Sequence, residues 1–105
     1  MKTTIGGKFW LEKDKEGVFS LGLTEGFVEQ IGIIWNTAPR ITAELKIGQT
    51  FLSFESSRML MSLRSPMAGK IVEWNEDLID APNEITHESF LLRIKPCDAE
   101  PVIQF

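Results

Sequence analysis

The chain has 105 residues, of which 43% are hydrophobic and 25% are charged, and this composition predicts one soluble globular domain with a small core. Its formal net charge of -4 and its eleven scattered basic residues argue against a nucleic-acid surface, which needs clustered Lys and Arg. No apolar run is long enough to span a membrane and residues 1–10 contain no apolar signal region, so we expect a cytoplasmic protein.

The first part of the chain predicts a β-hairpin followed by a short helix. Two apolar runs, residues 8–12 and 18–23, flank the charged turn 13–17, a pattern typical of antiparallel strands. After them, Thr24 can cap a helix and Gly32 can adopt the positive φ needed where a helix ends. A helix of about two turns is not stable alone, so we expect its apolar face to pack on the sheet. That face contains Phe27, Val28 and Ile31.

The middle of the chain predicts a second β-hairpin, with a tip suited to presenting one side chain away from the domain. Residues 33–35 predict a brief strand that ends at 36–39, and residues 41–45 lead into a turn at Gly48. Side chains then alternate with period two on both sides of the polar break 55–58. The predicted faces are Phe51, Ser53 and Glu55 against Leu52, Phe54 and Ser56, then Met59, Met61 and Leu63 against Ser62 and Arg64.

The last part predicts two strands joined by an acidic, turn-rich connection. Residues 70–74 and 89–95 alternate as strands, and between them Pro82 suits the first turn of a short helical segment. Pro96 is expected to end the last strand, before a loosely held tail at 97–105. The chain therefore predicts a mostly β fold, a small flattened β-barrel or sandwich with one short helix in its N-terminal half and short helical turns.

The residues that most often carry chemistry are isolated in this sequence. Cys97 is the only cysteine and cannot form an internal disulfide, and His87 is the only histidine, without a second ligand at metal-binding spacing. No nucleophile, base and oxyanion site are assembled by any motif. We therefore predict a non-enzymatic protein without a catalytic or metal site. The tryptophans and most methionines are interpreted as packing residues: Trp10, Trp35, Trp74, Met59, Met61 and Met67.

The central hairpin resembles the prosthetic-group hairpin of lipoyl and biotinyl carrier domains. In those families a Glu-Ser-x-Lys or Glu-x-Met-Lys-Met turn carries the modified lysine, and a Pro-x-x-Gly turn follows eight residues later. Here Glu55-Ser56-Ser57-Arg58-Met59 precedes Pro66-Met67-Ala68-Gly69 at that distance. The resemblance places Arg58 at the position of the lipoyl-lysine, within a tip formed by Glu55, Ser56, Ser57 and Met59.

Other segments, in the same order, resemble the glycine cleavage system H protein. The resemblance covers about residues 8–98 and implies a single H-protein-like domain of lipoyl type over residues 1–105. Two features differ: Lys8-Phe9-Trp10 stands where many H proteins read His-Glu-Trp, and the usual C-terminal helix is not present in the sequence. The similar segments are GVFSLGLT at 17–24, EQIG at 29–32, NEDL at 75–78, PNEI at 82–85 and LLRIKP at 91–96.

The resemblance implies a carrier protein and not a catalyst. An H protein bears a lipoyl group on its hairpin lysine and moves an aminomethyl group among the glycine-decarboxylating, aminomethyl-transferring and dihydrolipoyl-oxidising proteins. Attachment needs a deprotonated amine, whereas a guanidinium is delocalised and ordinarily has a pKa above about 12. We therefore expect no cofactor on Arg58, although lipoate is the cofactor of the family. The first hypothesis is a non-lipoylated module that docks on glycine-cleavage or lipoate-handling enzymes.

Two alternative functions remain open at this point. The chain contains no lysine between Lys46 and Lys70, so a working carrier of lipoate, or less readily of biotin, would have to use one of these two residues. The other alternative is a structural or interaction protein on a reused fold, because fold alone does not determine function.

Overall fold

The computed structural model describes residues 2–96 as two antiparallel β-sheets around one core, with short helices at the edges. The first sheet has six strands in the order β1-β2-β3-β9-β8-β5, and the second has three in the order β4-β6-β7. The fold is mostly β, as predicted, and the two sheets do not close into a barrel. The strands are β1 (Thr3–Ile5), β2 (Phe9–Lys13), β3 (Phe19–Leu23), β4 (Ile34–Pro39), β5 (Glu44–Leu45), β6 (Thr50–Ser56), β7 (Leu60–Arg64), β8 (Gly69–Trp74) and β9 (Phe90–Pro96).

The two predicted hairpins are confirmed. Strands β2 and β3 pair antiparallel, and the carboxylate of Asp14 closes their turn by accepting from the backbone N–H groups of Glu16 (2.8 Å) and Val18 (3.0 Å). Strands β6 and β7 form the second hairpin. The sequence did not predict β1, which extends the first sheet by pairing with β2.

The predicted helix, α1 (Glu25–Ile31), begins and ends at the expected residues. The hydroxyl of Thr24 accepts a hydrogen bond from the N–H of Phe27 (3.3 Å), and Gly32 has a φ of 77° at the other end. Phe27 and Ile31 are buried in the core, which supplies the stability that a seven-residue helix lacks in isolation.

The core lies between the two sheets and beneath α1. The inner face of the central hairpin contributes Leu52, Phe54 and Leu63, as the period-two pattern predicted. Met59 and Met61 pack against this core while half-buried, so they are packing residues and not an exposed methionine surface. The first sheet contributes Leu11, Leu21, Leu23, Leu91, Leu92 and Ile94.

Two predictions for the central hairpin and the strand beside it need correction. Phe51 is buried and does not share an outward face with Ser53, because a bulge shifts the register between Thr50 and Leu52. Strand β4 does not stop at Trp35 but continues to Pro39, because its backbone pairs with β6 along this length.

Trp35 is exposed, although it was interpreted as a packing residue. Its neighbour Ile34 faces the core, and consecutive residues of a strand point to opposite faces, so Trp35 points outward. Trp10 is buried and Trp74 half-buried, as expected.

The acidic connection contains more helix than predicted. A one-turn helix, α2 (Asp77–Asp80), precedes a 3-10 turn at Pro82–Glu84, where Pro82 begins the turn as expected. Leu78, on the inner face of α2, is buried and packs this helix against the core. The last strand includes Pro96, which pairs with Gly69. Cys97 and the predicted tail at 97–105 lie outside the described residues.

Candidate functional site at the hairpin tip

One buried serine fixes the turn that joins β6 to β7. The N–H of Ser56 donates to the carbonyl of Met59 (2.9 Å), and the Ser56 hydroxyl accepts from the N–H groups of Arg58 (3.3 Å) and Met59 (3.2 Å). Ser56 is only 4% exposed, so its hydroxyl lies inside the turn that it closes. The predicted tip residues are therefore brought together, with Ser57 and Arg58 exposed at the end of the turn.

The tip is bonded to the segment that follows α1. The N–H of Ser57 donates to the carbonyl of Ile33 (2.8 Å), and the N–H of Ile33 donates to the hydroxyl of Ser57 (3.0 Å). Gly32 permits this approach, because a Cβ built at Gly32 would collide with the Ser57 hydroxyl. Its backbone, with φ 77° and ψ -152°, also lies in a region that only glycine adopts readily.

The side chain of Arg58 turns back onto the protein instead of projecting into solvent. One guanidinium N–H donates to the backbone carbonyl of Glu29 at 2.7 Å. Glu29 lies in the last turn of α1, where carbonyl groups lack partners within the helix and favour a nearby cation. The tip was expected to present its central side chain away from the domain. The structure instead uses this side chain to cap a helix.

Three exposed apolar side chains surround the tip, and sequence reasoning missed this arrangement. Leu60 is 80% exposed and lies on β7 opposite Glu55, which is itself exposed. Ile33 and Trp35, 63% and 59% exposed, lie beside the same end of the sheet. The alternation that predicted Met59 and Met61 on the inner face also predicts Leu60 on the outer face. The exposure of Leu60 could therefore have been predicted from the sequence.

The base of the hairpin contains the predicted Pro-x-x-Gly turn. The buried hydroxyl of Ser65 donates to the carbonyl of Met67 (2.6 Å) and accepts from its N–H (3.3 Å). Pro66 and Met67 are buried, and Gly69 lies so close to the carbonyl of Lys95 that a Cβ would collide with it. This turn connects the second sheet to the first.

The two lysines that flank the hairpin lie at its other end. Lys46 follows β5, with its N–H bonded to the side-chain carbonyl of Gln49 (3.0 Å), and Lys70 lies on β8 opposite Glu44. Strand β6 separates this region from the tip by seven residues, roughly 20 Å at 3.3 Å per residue. Neither amine is close to the position that the resemblance assigns to the modified lysine.

Comparison with known proteins agrees with this geometry. The family model for the glycine cleavage H-protein matches residues 2–104. The chain belongs to the glycine cleavage H-protein family. The glycine cleavage system H protein of Oceanobacillus iheyensis is 35% identical over 91 residues, which are 82% of this chain and 72% of that protein.

Two further comparisons support the family and the fold. The glycine cleavage system H protein of Vibrio vulnificus is 29% identical over 82 residues, which are 77% of this chain and 65% of that protein. The crystal structure of a glycine cleavage system H protein from Mycobacterium marinum has the same fold. Its TM-score is 0.76 at 20% identity, over 97% of this chain and 89% of that chain.

Family membership makes this H-protein homologue a protein of carrier type and not a catalyst, as the sequence predicted. The family carries lipoate, which is attached through an amide to an amine. The tip of this chain offers the hydroxyl of Ser57 and the guanidinium of Arg58, and neither group is an amine. The tip residues therefore do not fit the attachment chemistry of the family. No helix within residues 2–96 has the length and apolar character to cross a membrane.

Proposed function

We propose that this H-protein family member is a non-lipoylated binding module, a single domain over residues 1–105, that docks on glycine-cleavage or lipoate-handling enzymes in the cytoplasm. This proposal rests on the position of Arg58 and on the hydrogen bond that its guanidinium makes. Arg58 occupies the position assigned to the lipoyl-lysine, and its guanidinium is hydrogen-bonded to the end of α1. Because a guanidinium is not an acceptor for a lipoyl group, we infer that the tip carries no prosthetic group.

The chemistry of attachment supports the absence of a lipoyl group. Acylation requires an amine with a free electron pair, and the electrons of a guanidinium such as that of Arg58 are delocalised over its three nitrogens. The nearest lysines in sequence, Lys46 and Lys70, lie at the base of the hairpin, away from the tip at which a modifying enzyme would act. The chain therefore retains the carrier fold without a group to transfer.

The surface around the tip supports docking. Ile33, Trp35 and Leu60 together present apolar area next to the exposed carboxylate of Glu55. Exposed apolar area of this kind marks interaction sites, and tryptophan is enriched among the few residues that carry most of the binding energy at an interface. The tip is also held in place by its bonds to Ile33 and Glu29, so little conformational entropy would be lost when a partner binds it.

The first experiment tests attachment by intact mass after incubation with a lipoate ligase, lipoate and ATP. We expect the wild-type chain to remain unmodified and Arg58→Lys to gain one lipoyl group on the tip. The matched control is Arg64→Lys, which makes the same change on the same hairpin away from the tip and should gain none. Arg58→Lys should change the free energy of unfolding by no more than about 0.5 kcal/mol, so a new mass would report chemistry and not refolding.

Two outcomes would contradict this expectation. A lipoylated peptide containing Lys46 or Lys70 in the wild-type protein would establish a working carrier with a different site. Failure of folded Arg58→Lys to accept lipoate, from a ligase that modifies an ordinary H protein, would mean that the tip surface has diverged and would favour an unrelated interaction role.

The second experiment tests docking by competition. The wild-type protein should bind the glycine-decarboxylating or aminomethyl-transferring enzyme of its host and displace lipoylated H protein from it. Trp35→Ala and Leu60→Ala should weaken this binding, because each removes exposed apolar area beside the tip. Ile79→Ala is the control, since Ile79 is similarly exposed but lies on α2. Absence of competition, or equal losses in all three variants, would refute docking through the tip.

A further inference from the structure

The outer face of the second sheet consists of three rows of side chains that run across its strands. Side chains on this face alternate with those that fill the core, and the strand register sets which of them are neighbours. Arg40 continues the face beyond β4, because its N–H donates to the carbonyl of Phe51 at 2.8 Å. The rows are Asn36, Glu55 and Leu60 (the tip row), Ala38, Ser53 and Ser62 (the middle row), and Arg40, Thr50 and Arg64 (the base row).

The middle row contains only small side chains. Ala38 and Ser62 are exposed, Ser53 is half-buried, and the hydroxyls of Ser53 and Ser62 are hydrogen-bonded to each other at 2.9 Å. Two sheets that pack face to face lie about 10 Å apart, with side chains filling the space between them. Small residues in the centre therefore allow another flat surface to approach this sheet closely.

The two end rows carry opposite charges. The tip row contains the carboxylate of Glu55 on the central strand β6, and the base row contains the guanidinium groups of Arg40 and Arg64 on either side. All three residues are exposed, and within residues 2–96 their charged groups have no ion pair or hydrogen bond. Four residues of β7 separate the rows, about 13 Å at 3.3 Å per residue. The face is thus negative at one end and positive at the other.

A face with this pattern is complementary to a second copy of itself. A two-fold axis that lies between two such faces and crosses their strands at the middle row reverses the strand direction in the second copy. The tip row of each copy then lies over the base row of the other, with Glu55 of one copy between Arg40 and Arg64 of the other. Leu60, which is 80% exposed, faces the aliphatic stem of Arg64 in the other copy.

We propose that the outer face of the second sheet binds a second copy of this chain and forms a symmetric dimer. Charge complementarity selects this occupant, because both signs of charge are matched at both ends of the interface. The face measures roughly 15 Å by 20 Å, from three strands about 4.8 Å apart and six residues of about 3.3 Å. A dimer of this size buries less than the 1,200 Å² or so of a standard interface, so it belongs to the weak, transient class.

The dimer covers Glu55 and Leu60, which also contribute to the docking surface around the tip. Self-association and docking on another protein therefore exclude each other, and this consequence rests on the proposed function. The dimer itself does not, since its formation involves no other protein.

Sedimentation equilibrium of the full chain tests self-association at concentrations from about 10 µM to about 1 mM, the range in which weak dimers form. We expect the average mass to rise from that of one chain toward that of two chains. In about 0.5 M salt the mass should fall back, because salt screens ion pairs between exposed charges. A monomer at every concentration, association that does not respond to salt, or growth beyond two chains would overturn the proposal.

A bulky charge in the middle row tests which face is used. Ser53→Arg should abolish the dimer, because it brings two like charges together at the two-fold axis. The control is Ser20→Arg, which makes the same change on the outer face of the first sheet and should leave the dimer intact. Equal losses in the two variants would contradict the assigned face.

Charge reversal tests the pairing of the end rows and distinguishes it from misfolding. Glu55→Arg and Arg64→Glu should each weaken the dimer by about tenfold, because each brings like charges together. The variant with both changes should associate more tightly than either single variant, because opposite charges then meet again. Absence of this recovery would refute the proposed pairing. Competition with lipoylated H protein is a separate readout, made on dilute monomer, so either proposal can fail without the other.

Discussion

The turns at the two ends of β7 are closed by the same kind of side chain but have opposite surroundings. Within residues 2–96, the two buried polar side chains are Ser56 at the tip and Ser65 at the base. Each serine hydroxyl bonds the backbone of its own turn, to Met59 in the first case and to Met67 in the second. The residues that follow differ: Ser57 and Arg58 are exposed, whereas Pro66 and Met67 are buried.

From this difference we expect the two turns to tolerate different changes. The base turn is packed between the sheets, so its side chains are fixed by the shape of the core. The tip is held by hydrogen bonds: Ser57 bonds to Ile33 through its N–H and its hydroxyl, and the guanidinium of Arg58 donates to the carbonyl of Glu29. A change of side chain at position 58 is therefore expected to leave the fold intact.

The largest expected effect comes from removing the packing of the base turn. Met67→Ala should lower the free energy of unfolding by about 2–5 kcal/mol, because it leaves a cavity at a fully buried position. Leu60→Ala, which truncates an exposed apolar residue near the tip, should change it by no more than about 0.5 kcal/mol. Urea unfolding of both variants measures the difference. Similar losses would show that the tip is packed as tightly as the base.

A smaller effect should follow from separating the tip from α1. Gly32→Ala should cost about 1–3 kcal/mol, since its backbone conformation is strained for any other residue and the new methyl group displaces Ser57. Hydrogen exchange of the Ile33 and Ser57 amides should become faster. The control is Gly26→Ala within α1, where a Cβ meets no atom and the helix should be stabilised by about 0.5 kcal/mol. Unchanged exchange in Gly32→Ala would mean that these bonds do not hold the tip.

The smallest of these effects is expected for Ser56→Ala, which is compared with Ser65→Ala at the other turn. Ser65→Ala should destabilise the protein by about 1–3 kcal/mol, because it leaves the backbone of Met67 without this partner at a fully buried position. Ser56→Ala should cost about 1 kcal/mol or less, since water can reach the backbone of the exposed Arg58 beside it. Thermal or urea unfolding provides the measurement. A larger loss in Ser56→Ala would reverse the comparison of the two turns.

Much of the fold was predictable because it depends on local patterns. Alternation located β6 and β7 and their inner faces, and Thr24 and Gly32 located the ends of α1. The pattern failed where strand pairing overrode it. A bulge buries Phe51, and β4 continues past Trp35 because β6 lies beside it. Strand β1 was missed because three residues carry too little pattern to reveal a strand.

The candidate site could be located in the sequence from three features: a Glu-Ser start, an arginine at position 58, and a Pro-x-x-Gly turn eight residues later. These features depend only on identity and spacing. Tertiary structure alone decided where the guanidinium of Arg58 goes, because its acceptor on Glu29 is 29 residues away in the chain. It also brought Arg40 and Arg64, from separate strands, to one end of the outer face of the second sheet. Such arrangements arise from the packing of separate elements, and no local pattern encodes them.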